Sequence, residues 1–169
     1  MPQLSSYISG GSGGGGTDAG AIRQIVTDKV IADGAHISTS TTSMQNSNLS
    51  VTITPKSYSN YLQIEIFNNM YRSASNSGLT TAIYRTGTGL TSAYVVNKTT
   101  SYSTPYYHGL SYDYGGDWGS RKEVWQDEDI SSATASITYT YYYASWHGST
   151  IYLAHQSHDI YMVVTEIQQ

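Results

Sequence analysis

Four acidic residues fall close together, at Glu123, Asp127, Glu128 and Asp129. Paired carboxylates are the working parts of glycoside hydrolysis, where one acid holds a proton and the other acts as base or nucleophile at a set separation. Here the acids sit in a polar stretch, and the expectation is a solvated turn rather than a catalytic pair. Five histidines could ligate metal: His36, His108, His147, His155 and His158. A metal site needs several convergent donors. His155 and His158 are three apart, which on a strand sends them to opposite faces. They are read as surface or turn histidines, with a ring of one histidine per subunit on a symmetry axis left open. No nucleophile elbow, P-loop or paired cysteine is present. The chain is therefore expected to be non-enzymatic, with no metal and no cofactor.

The most informative chemistry is aromatic. Tyr102, Tyr106, Tyr107, Tyr112, Tyr114, Trp118 and Trp125 are interleaved with Asp113, Asp117 and several glycines. Tyrosine and tryptophan give rigid, amphipathic contact area at little entropic cost. Three readings stand: a long sandwich loop packed on its own sheet, a subunit or capsid contact, or a sugar site built from ring stacking and carboxylate acceptors. Tyr106, Tyr107, Tyr112, Tyr114, Trp118 and Trp125 are the candidate interface or glycan contacts.

The elements that must position these residues read as strands. Side chains alternate across a strand every residue. Leu49, Val51 and Ile53 alternate with polar neighbours, as do Leu62, Ile64 and Ile66. Ile137, Tyr139, Tyr141 and Tyr143 share one face. Ile160, Met162 and Val164 alternate with Tyr161, Val163 and Thr165, and that strand is expected to be buried on both faces. Weaker strands are expected at 22–31, 79–85, 92–97, 121–125 and 149–155. Turn residues separate them at 55–60, 76–78, 87–89, 115–117 and 147–149, where glycine supplies the positive φ that tight turns need. No stretch keeps helical periodicity over three turns. The expected fold is all-β, a jelly-roll-like antiparallel β-sandwich of about eight strands over residues 21–169. Residues 1–20, with their Gly/Ser tract, are expected to be a flexible N-terminal arm. That arm is either a scar or frayed end, or a tether docking into a neighbour.

Composition bounds the partners. Of 169 residues 17 are Tyr, 3 Trp and 1 Phe, and 12% are charged, which offers aromatic burial on a polar but uncharged background. Disordered chains lack such aromatic and β-branched content. The formal net charge is -4 with no basic run, which argues against nucleic acid, whose binding needs clustered cations. No segment approaches the ~18 apolar residues of a membrane span. The absence of cysteine and of a signal-like N-terminus points to synthesis in a reducing cytoplasm without export.

Three stretches resemble tailed-bacteriophage virion structural proteins, of the capsid-decorating, cement or tail-fibre kind. The first runs Ser50-Val51-Thr52-Ile53-Thr54-Pro55 through Lys56-Ser57-Tyr58-Ser59-Asn60 to Tyr61-Leu62-Gln63-Ile64. The second is Ile83-Tyr84-Arg85-Thr86-Gly87-Thr88-Gly89-Leu90. The third spans Ala135-Ser136-Ile137-Thr138-Tyr139 and Ile151-Tyr152-Leu153 to Val163-Val164-Thr165-Glu166-Ile167. The chain departs from that pattern in a longer, more aromatic segment 101–126 and in Tyr61, where such proteins often carry Lys. The resemblance implies a β-sandwich in a virion assembled in the host bacterial cytoplasm. It implies a homotrimer contacting other virion proteins such as the major capsid protein. A tail-fibre or spike module binding host-surface glycan is the alternative.

Overall fold

The computed structural model describes residues 19–30, 37–72, 78–95, 111–112, 118–145, 148–153 and 159–169. The arm expected over residues 1–20 thus falls almost wholly outside the described residues. So do all five histidines. Every regular element among the described residues is a strand. In chain order these are β1 (Ile22–Val30), β2 (Ile37–Thr39), β3 (Gln45–Ile53), β4 (Tyr61–Arg72), β5 (Gly78–Gly87), β6 (Ala93–Tyr94), β7 (Ser111–Tyr112), β8 (Trp118–Asp127), β9 (Ile137–Ser145), β10 (Ile151–Leu153) and β11 (Ile160–Ile167).

The strands form two antiparallel sheets. In the first, β1 pairs β11, β11 pairs β4, and β4 pairs β8. Beyond the end of β11, β10 continues along β4 and pairs with β2. In the second sheet the order is β3-β9-β5-β6, with β7 also on β5. Setting aside the short β2, β7 and β10, the remaining strands number one to eight along the chain. The first sheet then reads 1-8-3-6 and the second 2-7-4-5. Each sheet interleaves the chain's ends with its middle, which is the doubled Greek key of a jelly roll. The expected fold class is the observed one.

Alternation builds the core. Leu49, Val51 and Ile53 of β3, Leu62, Ile64 and Ile66 of β4, and Ile137, Tyr139, Tyr141 and Tyr143 of β9 all point inward and are buried. Burying each large side chain stabilises the fold by roughly 1.5–3 kcal/mol. Strand β3 carries a register shift between Asn46 and Ser50. Asn48 there adopts φ 62°, and its N–H donates to the Asn46 side chain at 2.7 Å. That local turn is the device by which asparagine tolerates the left-handed region.

The expectation of two-sided burial for β11 needs correction. Both faces are buried only from Val164 onward, while Tyr161 is 42% exposed and Val163 half-buried. Nothing among the described residues lies over the outer face of the first sheet at that end. In the β5–β6 turn, Gly89 has φ 84°, and a Cβ there would overlap the Ser132 carbonyl oxygen. Glycine is required at that position on both counts.

Candidate functional site

The acidic group divides. Glu128 and Asp129 are exposed, as expected of a turn, but Glu123 and Asp127 are buried. The strand period is the cause. Glu123, Trp125 and Asp127 take the inward positions of β8, and Lys122, Val124 and Gln126 the outward ones.

Asp127 accepts Arg85 Nη1 on both oxygens, at 2.7 and 2.9 Å, and the Tyr139 hydroxyl at 2.7 Å. The same Arg85 nitrogen donates to the Asp129 carbonyl at 2.7 Å. The side chains of Arg85 and Asp127 are 6% and 4% exposed, so this ion pair is held almost without water. Asp129 Oδ2 lies 3.6 Å from Arg85 Nη2, but its side chain is 85% exposed, and solvent screens that contact. Arg85 Nε finds no hydrogen-bond partner among the described residues, a desolvation cost the ion pair must offset.

Four residues earlier on β8, Glu123 accepts Asn68 Nδ2 at 2.9 Å, the Tyr141 hydroxyl at 3.2 Å and the Thr81 hydroxyl at 3.0 Å. Asn68 Nδ2 also donates to the Tyr141 hydroxyl at 2.7 Å. Burial, then the Asp127 charge and the bond donated to it, push the Tyr139 phenol far above its ordinary range, with Arg85 opposing. Burial and the Glu123 charge likewise raise Tyr141, against hydrogen bonds from Asn68 and Thr81 that lower it. Both phenols therefore stay neutral donors.

Arg85 and Thr81 stand on β5, Tyr139 and Tyr141 on β9, and both acids on β8. The two acids thus fasten the edge of the first sheet to the second. Every oxygen of the pair is engaged inside the sandwich. About 13 Å of strand separates them, beyond the spacing at which two carboxylates share a glycosidic bond.

A third buried acid stands in the same cross-strand row as Asp127, on the far side of Leu62 of β4. Glu166 is fully buried on β11. It accepts the backbone N–H groups of Lys56 and Ser57 at 2.9 and 3.0 Å, Asn60 Nδ2 at 2.6 Å and Gln24 Nε2 at 2.7 Å. One carboxylate therefore ties β1, the β3–β4 turn and β11. Sequence reasoning missed these partners, although the inward positions of Arg85, Glu123 and Asp127 were readable from the same alternation that placed the aliphatics.

With these acids committed to the interior, the two outer sheet faces are the broad surfaces that the described residues offer for contact. On the first sheet, register places Lys29, Tyr161, Phe67 and Lys122 side by side across β1-β11-β4-β8. The next row is Thr27, Val163, Glu65 and Val124. Val124 and Ile25 are each 48% exposed and Phe67 37%. Phe67, Tyr161 and Val163 line a shallow depression with Lys122 at its rim. Lys122 Nζ lies 3.0 Å from Glu65 and 5.0 Å from the Phe67 ring centroid.

The outer face of the second sheet differs. Its rows are Ser50, Thr140, Tyr84 and Tyr94, then Thr52, Thr138 and Thr86. Tyr84, Tyr94 and Tyr142 pack edge to face with centroids 4.9 to 6.0 Å apart.

The aromatic candidates are dispersed. Trp125 points inward and packs against the core. Tyr112 pairs with Gly78 in the second sheet and Trp118 with Tyr71 in the first. Tyr106, Tyr107 and Tyr114 lie outside the described residues.

No protein-family model and no curated protein sequence matches the chain. Solved structures align with it weakly. The infectious bursal disease virus Gx strain structure aligns over 99% of this chain and 46% of its own, at 14% identity and a TM-score of 0.43. The infectious bursal disease virus VP2 subviral particle aligns over 98% and 43%, at 14% identity and 0.41. The chain spans less than half the length of these virus-particle proteins, which come from an animal virus rather than a tailed bacteriophage. Likeness at this level leaves the fold assignment on the strand order itself.

Proposed function

We propose that the chain is a non-enzymatic structural protein of a tailed-bacteriophage virion, decorating or cementing the capsid surface as a homo-oligomer. The observation that carries this reading is the division between interior and surface. The buried acids on β8 and β11 are consumed by cross-linking the jelly roll. Among the described residues, the exposed large apolar side chains stand on strands of the first sheet rather than scattering over both. Contiguous exposed apolar surface marks association, and jelly rolls recur in viral shells. The resemblance of the β3–β4 and β5 stretches to phage virion proteins supplies the phage setting and the major capsid protein as neighbour. Tyr106, Tyr107, Tyr112, Tyr114 and Trp118 remain candidates for the capsid-side contact. Quantitative mass spectrometry of purified particles tests the reading. Copy numbers comparable to the major capsid protein are expected, and absence from particles rejects it.

A second reading has its own support. The edge-to-face cluster of Tyr84, Tyr94 and Tyr142 stands among hydroxyl-bearing residues on an uncharged face, a chemistry suited to sugar rings. It fits a tail-fibre module binding host-surface glycan. A glycan array decides: saturable binding, with a few copies confined to the tail, favours this module over cement.

A further inference from the structure

We propose that the outer face of β1-β11-β4-β8 seats a second copy of this chain, across a two-fold axis. The inference rests on the reading of the chain as self-associating and names the face that does it. An interface of this symmetry uses one patch twice, so the patch must be complementary to itself. This face meets that condition in charge and adds exposed apolar surface to bury. It carries a projecting apolar side chain, Val124, beside the depression formed by Phe67, Tyr161 and Val163. It carries both signs of charge: Lys29 with Asp159 at its rim at 3.6 Å, and Lys122 with Glu65 at 3.0 Å. Those two cations and two anions cancel.

The whole chain, by contrast, has a formal charge of -4. A patch of zero net charge lets two negatively charged copies meet without added local repulsion, and its paired signs can fix their register. A strongly basic or acidic partner would call for a patch of one sign, which the face does not offer. The uncharged second sheet offers no such charge register. Pairing the first-sheet faces buries Phe67, Tyr161 and Val124 and lets Lys122 of each copy approach Glu65 of the other.

Sedimentation velocity of the full chain over a concentration series provides the test. Reversible dimerisation is expected. Val124→Asp should weaken it by at least about a hundredfold, because an unpaired charge enters an apolar contact. Thr140→Asp, on the other outer face, should change it by no more than about twofold. Glu65→Lys and Lys122→Glu should each weaken association alone, and mixing them in equal amounts should restore it. Each like-charged meeting in a homodimer becomes an opposite-charged one in the mixed pair. That restoration separates an intermolecular contact from mere damage within one chain.

A monomeric wild type, undiminished association of Val124→Asp, loss in Thr140→Asp instead, or no recovery on mixing overturns the proposal. The virion reading fails separately, by absence of the chain from particles. An oligomer built through another face sinks this inference and leaves that reading standing.

Discussion

The interior of this sandwich is built in two chemistries. Where β3 faces β1 and β11, the filling is aliphatic up to the Glu166 end: Leu49, Val51 and Ile53 against Met162 and Val164. Where β5 and β9 face β8, the same thickness is spanned by Arg85, Asp127, Tyr139, Glu123, Asn68 and Tyr141. Apolar contact is non-directional and tolerates small shifts. The polar half holds together through hydrogen bonds of fixed geometry, and losing one partner strands the other in low dielectric. The difference teaches that β8, at an edge of its sheet, is located by direction rather than by bulk. Inward-pointing charge on an edge strand also discourages open-ended strand pairing.

Breaking the polar half should have the largest effect. Arg85→Met leaves Asp127 buried without its cation and is expected to cost about 3–5 kcal/mol in urea unfolding. Adding Asp127→Leu should recover most of that, apart from about 1–2 kcal/mol for the stranded Tyr139 hydroxyl. No recovery would mean that the pair matters by shape rather than charge. In the aliphatic half, Ile64→Ala should cost about 2–5 kcal/mol through lost burial and a cavity, with no partner change able to rescue it. Tyr139→Phe, which removes one donor to Asp127, should cost about 1–3 kcal/mol at neutral pH.

The smallest effect sharpens the comparison by pH. The phenols of Tyr139 and Tyr141 are raised in the folded state. Their contribution is complete below the unfolded value near pH 10. Above it the unfolded chain releases protons that the folded chain keeps. Stability then falls with rising pH by about 1.4 kcal/mol per unit for each tyrosine. Tyr139→Phe should flatten that slope by one such increment, and Ile64→Ala should leave it unchanged.

The aliphatic half was legible in the sequence because alternation states it directly. Leu49 to Ile53 and Leu62 to Ile66 show the face they occupy, and the same period on β9 turns Tyr139 and Tyr141 of the polar half inward. The eight-strand jelly roll followed from those strands and their turns. The polar half was not read, because Glu123 and Asp127 were judged by composition, as a charged cluster in water, rather than by register with Trp125. Their partners Arg85, Asn68 and Thr81 come from strands distant in sequence, and pairing alone brings them together. The short β2 and β7 carry too few residues to show a period. The open outer face of β11 escaped because Tyr161 and Val163 look like core residues, and only the sheet order leaves them uncovered. The candidate aromatics lie in a segment largely outside the described residues, while Phe67 and Val124 on the exposed face belong to no motif that marks them in the sequence.

Hydroxyl-radical footprinting of the chain, free in dilute solution and assembled on purified particles, tests the central claim most directly. The account predicts that oxidation of Phe67 and Tyr161 falls sharply on assembly while folding is unchanged. Equal oxidation of both residues in the two states would contradict it.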